Sequence, residues 1–257
     1  MIARNYEVMG TVVSYLIDPQ GLADEQIEEA LAAACREFAD LDARFSTWKP
    51  ESELSLMRAG NGASLSTLME ALVDLCSVAC DLTKGYFDPW AMPGGFDPTG
   101  LVKGWAAERA LLELAEHGVT NALVNAGGDI CVAPSTNFLV GIRHPFDAEA
   151  LCGVVNVASA VATSGVYERG AHLINPYGGS IAAVSATVVG GPLALADALA
   201  TALAVGGTPV LYLLEEIEDV EGFFITPEGV MLKTSGMAFT NDAAGEGATP
   251  PRFDVTT

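Results

Sequence analysis

Apolar and polar residues alternate with a period of two through NYEVMGTVVSYLID, which predicts a strand over residues 5–18 with Met9, Gly10 and Thr11 inside it. The period then lengthens: from Asp24 to Asp40 apolar residues recur at helical spacing. A loop containing Ser and Pro follows. A second helix is expected over about 66–83, opened by the cap-like SLSTLME and closed at Gly85. GYFDPWAMPGGFDPTG is rich in turn residues yet too aromatic for a plain linker. A third helix is expected from about Val102 to His117. Strands are expected near 121–132, 137–143, 152–163 and 183–190. After them come a helix in PLALADALATALAV, a short helix in TPVLYLLEEIE, and a hairpin in GFFITPEGVMLKTSG turning around Pro227, Glu228 and Gly229. The last stretch, residues 241–257, has little to bury and is expected to be a mobile tail.

Because several strands follow one another without an intervening helix, the pattern predicts an α+β fold: mixed, largely antiparallel sheets with packed helices. Residues 1–240 are expected to form a single domain, as one unit or as two packed lobes. There is no internal repeat, and neither a GxGxxG between strand and helix nor a P-loop, so Rossmann and P-loop nucleotide binding are excluded.

Charge narrows the partners. With 33 acidic residues against 12 Lys and Arg, the net charge of -21 disfavours nucleic acid and anionic membrane surfaces, which need clustered cations. A bound phosphate would therefore need a metal or local donors. No apolar run approaches the roughly 20 residues of a membrane span, and the first residues lack the pattern of a signal peptide. The chain reads as soluble, either cytoplasmic or exported with its leader removed. Five cysteines form an odd set, and four of them lie in apolar patterns, as core thiols do.

The strongest chemical clue is Asp197 and Thr201, one helical turn apart in a run with almost no other polarity. Two readings stand: a buried Asp satisfied by its neighbouring Thr, or two hard oxygen ligands suited to Mg2+. In FDPTGLVKG, Asp97 lies in a turn and Lys103 opens a helix, either in solvent or at an anion. Gly127 and Gly128 permit a bulge or close approach to a ligand. Thr163, Ser164 and Gly165 supply small donors. His172 lies beside a turn and reads as a structural residue or as a general base. Trp48 sits in a loop, as a lid over core or as a stacking platform for a flat ring. Aromatics, a glycine pair, a lysine and a magnesium-like pair together point toward a nucleotide diphosphate with a flat base.

Taken in order, the segments MGT (Met9 to Thr11), FSTWKPESELS (Phe45 to Ser55), GYFDP (Gly85 to Pro89), FDPTGLVKG (Phe96 to Gly104), NAGGD (Asn125 to Asp129), ATSGVYER (Ala162 to Arg169), HLINP (His172 to Pro176), ATVVG (Ala186 to Gly190) and ADALATAL (Ala196 to Leu203) resemble the ApbE family of FAD:protein FMN transferases. The resemblance spans nearly the whole chain and implies a T-fold-related architecture. It also implies FAD as substrate, Mg2+ as cofactor, and transfer of FMN to a Ser or Thr hydroxyl of a carrier protein, with AMP leaving. By resemblance, Asp197, Thr201 and the Gly100 carbonyl are metal ligands, and Asp97 and Lys103 contact FAD. Met9, Trp48, Tyr86, Phe87, Asp88 and Ile174 fall where the family lines its flavin and adenine pockets. His172 matches the histidine that deprotonates the acceptor, and Lys103 would steady the departing phosphate. Two departures stand out: Asn175 and Glu108 occupy positions where the family commonly has Asp. An FAD pyrophosphatase releasing FMN and AMP, and a non-catalytic FAD-binding protein, are the competing expectations.

Overall fold

The computed structural model describes residues 1–61, 64–134, 136–165 and 173–240. Ten strands and six helices are found among them. The chain opens with β1 (Ile2–Val8), β2 (Thr11–Ile17) and α1 (Asp24–Phe45), then α2 (Glu53–Arg58), α3 (Thr67–Leu82) and α4 (Thr99–Glu116). Next come β3 (Ala122–Ala126), β4 (Asp129–Val132), β5 (Phe138–His144), β6 (Asp147–Val157), β7 (Ala160–Gly165) and β8 (Ser185–Gly190). The described elements end with α5 (Leu193–Gly206), α6 (Thr208–Leu214), β9 (Val220–Ile225) and β10 (Met231–Lys233). Eight strands form one sheet in the order β1-β2-β3-β4-β7-β8-β9-β10, and β5 pairs with β6 in a separate ribbon. Every pairing among the described residues is antiparallel. This is the α+β arrangement that the run of successive strands predicts.

The two-residue period of the strands assigns the sheet faces. Cys131, Ala160, Ala162, Ala186, Val188 and Phe224 point into the large core beneath α1, α4 and α5. Their neighbours Ile130, Val132, Val161, Phe223 and Ile225 point the other way, into a second core that also takes Ile142, Val155 and Val157 from the ribbon.

Three of the expected strands are each divided in two, α1 runs on to Phe45 beyond the expected Asp40, and α4 begins at Thr99 ahead of the expected Val102, so that Lys103 lies in its second turn. The strand expected over 5–18 is a hairpin: Val8 pairs with Thr11, and Met9 and Gly10 turn the chain with φ of 54° and 68°. The alternation breaks at Val8–Met9 and again at Val12–Val13, and Gly10 between them is a turn residue, but Met at the first turn position is not one and makes the signal weak. The stretch 121–132 folds back at Gly127 and Gly128 (φ 63° and 100°), so the glycine pair is a tight turn. The stretch 152–163 divides between β6 and β7, which belong to different sheets. Helix α2 lies where a loop is expected. It has only six residues, and Ser52 caps it by accepting from the Ser55 N–H at 3.0 Å.

Helix α5 is apolar nearly all round, as a helix enclosed by core must be. Its small residues let α4 approach closely. A Cβ at Gly104 would lie 2.8 Å from the Leu193 carbonyl oxygen, so Gly104 is what allows the two helices to meet. With Gly104 against the first residues of α5, Lys103 and Gly100 of α4 come beside Asp197 and Thr201 further along α5. Burial pushes the thiols of Cys76 (to about 12) and Cys131 upward, consistent with inert core cysteines. No helix among the described residues is long and apolar enough to cross a membrane.

Candidate functional site

At the end of the sheet where the β1–β2 and β3–β4 hairpins turn, polar groups converge on the helix-covered face. The two tips interlock: the Gly127 N–H donates to the Val12 carbonyl at 3.2 Å, and a Cβ at Gly127 would strike Thr11 Oγ1. The turn delivers Asp129 as the first residue of β4, on the same face as Cys131 and only 1% exposed. Its Oδ1 accepts from the Thr163 N–H at 3.2 Å, and its Oδ2 forms an ion pair with Lys103 Nζ. Lys103 comes from α4, and its Nζ also stands 4.0 Å from Oδ2 of Asp197, itself 7% exposed on α5. Thus one ammonium lies between two buried carboxylates.

One turn beyond Asp197, Thr201 Oγ1 shares a 3.3 Å hydrogen bond with Ser164 Oγ from β7. Gly100, in the first turn of α4, faces the same hydroxyl: a Cβ there would lie 3.7 Å from Thr201 Oγ1 and 3.1 Å from the Phe87 ring. The structure therefore gathers Gly100, Lys103, Asp197 and Thr201, all named from sequence. It adds Asp129 and gives Ser164 a specific partner. Asp129 lies within NAGGD, where an acid after two glycines reads as turn chemistry. The signal that finds it is the alternation of DICV, which places it on the inward face with Cys131.

The donor set suits a hard cation. The Asp197 carboxylate beside the Thr201 and Ser164 hydroxyls offers hard oxygen ligands of the kind Mg2+ takes, with water or phosphate filling the remainder. Among the described residues no cluster of three or more His, Cys, Asp or Glu is found, so a cation here would rest on few protein charges. Asp197 and Thr201 would hold it.

The loop before α4 forms the rim. Phe87 is buried against Gly100, and its N–H donates to Thr83 Oγ1 at 3.1 Å. Tyr86 packs where a Cβ of Gly206 would be, with its ring 5.0 Å from that of Tyr177. Asp88 closes the next turn, its Oδ1 accepting from the N–H groups of Trp90 and Ala91 at 2.9 and 3.2 Å. Asp97 has both oxygens engaged within the protein. Oδ1 accepts from the Thr99 N–H at 3.0 Å, and Oδ2 pairs with Arg58 of α2 at 3.1 Å. Arg58 Nε also donates to the Phe96 carbonyl at 2.7 Å, so the unforeseen helix α2 clamps this loop.

The remaining predicted residues lie further out. Met9 sits at the β1–β2 tip, partly buried against the main core. Trp48 is 91% exposed, which removes it as a lid over core. Ile174 is half-buried in the segment after residue 172. His172 itself lies outside the described residues.

Asn175 and Glu108, where the resemblance leads one to expect Asp, both have local work. Asn175 Oδ1 accepts from the Tyr177 N–H at 3.0 Å while its Nδ2 donates to the Ser180 carbonyl at 3.4 Å, a bond that Asp would not make. Glu108 reaches from α4 to the start of α5, where Pro192 offers no side-chain cap, and accepts from the Leu193 N–H at 2.6 Å. Burial pushes its carboxyl above the ordinary Glu range, while the Leu193 and Ala194 N–H groups pull it partly back. Glu108 thus anchors the helix that carries Asp197 and Thr201.

Fold and site define an α+β class in which hairpin tips and two close helices enclose an oxygen-rich cluster around one lysine. The ApbE family model matches residues 9–95 and 91–224, and the chain belongs to that family. Among curated proteins it is similar to an FAD:protein FMN transferase of Rhodobacter capsulatus, 25% identical over 276 residues covering 80% of this chain and 51% of the relative. It is also similar to one of Klebsiella pneumoniae, 36% identical over 75 residues covering 28% of this chain and 23% of that protein. The chain spans about half the length of the first of these, and the second match is confined to a short segment. Among solved structures, an ApbE protein of Thermotoga maritima superposes with a TM-score of 0.79 at 19% identity, covering 91% of this chain and 97% of the other. The flavin transferase ApbE of Vibrio cholerae gives 0.74 at 19% identity, with the same coverage. These likenesses establish the shared fold.

Proposed function

We propose that this protein transfers FMN from FAD to a Ser or Thr hydroxyl of a carrier protein, with Mg2+ required and AMP released. The observation that carries this reading is the Lys103 ammonium set between Asp129 and Asp197, with Thr201 one turn further on the same helix. Such a cluster suits a pyrophosphate: oxygen ligands for a divalent ion on one side, a fixed cation on the other. Membership of the ApbE family and the activity named for the curated relatives support the same assignment.

In this reading the acceptor oxygen attacks the FMN-side phosphorus and the bond to the AMP phosphate breaks. His172 takes the hydroxyl proton, and Lys103 stabilises the charge that develops on AMP. When bound at Asp197 and Thr201, Mg2+ supplies neutralisation of the pyrophosphate and a template for alignment. Tyr86, Phe87 and Asp88 shape the rim against which FAD lies, with Met9, Trp48, Asp97 and Ile174 contributing from the surrounding loops.

The deciding experiment is the intact mass of a carrier domain bearing a Ser/Thr acceptor after incubation with the protein, FAD and Mg2+, with an EDTA control. A magnesium-dependent gain of one FMN is expected. Free FMN and AMP beside an unmodified carrier would make the protein an FAD pyrophosphatase, and intact FAD would make it a binding protein.

A further inference from the structure

Lys103 presents a problem that the proposed function does not resolve by itself. An ammonium close to a metal-binding carboxylate competes with the metal for the same oxygen. In a buried site, where water screens little, that competition is strong. Lys103 Nζ nevertheless stays 4.0 Å from Asp197 Oδ2 while in direct contact with Asp129 Oδ2.

Asp129 is itself firmly held. It is 1% exposed, it follows the Gly127–Gly128 turn at a fixed position in β4, and its other oxygen is tied to the Thr163 N–H. It sits on a sheet strand, whereas Lys103 and Asp197 sit on the two helices that Gly104 allows to touch. The carboxylate that restrains the lysine therefore belongs to a different layer from the one that would hold the metal.

We infer that Asp129 is a positioning residue: it holds the Lys103 ammonium away from Asp197, so that Mg2+ is not displaced there and the lysine remains directed at the phosphate. This rests on Asp197 and Thr201 being the metal ligands. Without the Asp129 charge, Lys103 would fold onto Asp197 and occupy the metal's oxygen.

The test is calorimetric titration of Mg2+ alone into this protein and its variants, each first shown to be folded by circular dichroism. Asp129→Asn is expected to bind Mg2+ about 10-fold more weakly than the unaltered protein. Adding Lys103→Met to that variant is expected to restore the affinity, because the competing ammonium is gone. Equal Mg2+ affinity in Asp129→Asn and the unaltered chain overturns the inference, and so does a loss that persists undiminished in the double variant. If Asp129→Asn does not fold, Asp129→Glu keeps the charge but moves the anchor by one methylene. A weakening of about threefold is then expected, and unchanged affinity overturns the inference. Failure of the unaltered chain to take up Mg2+ would overturn the metal assignment itself, a result distinct from the others.

Discussion

The two faces of the sheet carry hydroxyls of the same kind to different ends. On β7, Ser164 points toward the helices and meets Thr201 beside Asp197, while its neighbour Thr163 points the other way and meets Thr187 at 2.9 Å. Thr187 is fully buried, and the Thr163–Thr187 pair sits on the face that carries the apolar second core. On that face two hydroxyls satisfy each other. On the helix face the same chemistry adjoins two carboxylates and an ammonium, so it can serve a ligand. Residue type alone does not make a functional group; the strand period selects which hydroxyl meets charge.

The sharpest break of this contrast removes the charge. Asp197→Ala is expected to abolish Mg2+ binding by calorimetry and to lower FMN transfer by at least about 100-fold, since metal stabilisation of a phosphoryl transition state is worth several kcal/mol. The Lys103–Asp129 pair lies on other elements and is left in place by this substitution. A variant that retained both Mg2+ binding and transfer would refute the metal assignment.

A paired substitution on the two faces sharpens the contrast further. Ser164→Ala removes the partner that orients the Thr201 hydroxyl and is expected to weaken Mg2+ binding about 10-fold, as loss of an outer-shell partner commonly does. Thr187→Val leaves the Thr163 hydroxyl without its partner and is expected to cost about 1–3 kcal/mol of stability in denaturant unfolding, with Mg2+ affinity unchanged. If Thr187→Val altered metal affinity as much as Ser164→Ala, the faces would not be functionally distinct.

Much of this was legible in the chain. The helical spacing of DEQIEEALAAACREFADLD, the capped start at Ser66 and the succession of strands predict α1, α3 and an antiparallel α+β fold, and those elements are present. Asp197 and Thr201 stand out because a polar pair in an alanine-rich run has no surface role. The hairpin at Met9–Gly10 is faint in the sequence, because a single glycine beside a methionine marks the turn and apolar residues continue on both sides of it. Asp129 and Arg58 were missed for a different reason. Each acquires its meaning from a partner on another element, Lys103 on α4 and Asp97 before it; the alternation of DICV gives the face on which Asp129 lies but not the partner it meets there.

The smallest expected effect concerns Glu108, which links the helix layer to itself. Burial raises its carboxyl above the ordinary Glu value despite the two N–H groups of α5. The folded state therefore holds a proton at pH values where the unfolded chain has released it. The sign follows: the contribution of Glu108 to stability is fully present below the ordinary Glu value and is lost as pH rises through the raised folded value. Glu108→Gln keeps an oxygen for the Leu193 N–H but cannot ionise, so it should lack this decline. Denaturant unfolding of both proteins across the range from pH 4 to pH 8 checks the point. The stability of the variant relative to the unaltered protein should increase with pH, and a difference that is flat or falls would show that the Glu108 carboxyl is not held in its protonated form by burial between α4 and α5.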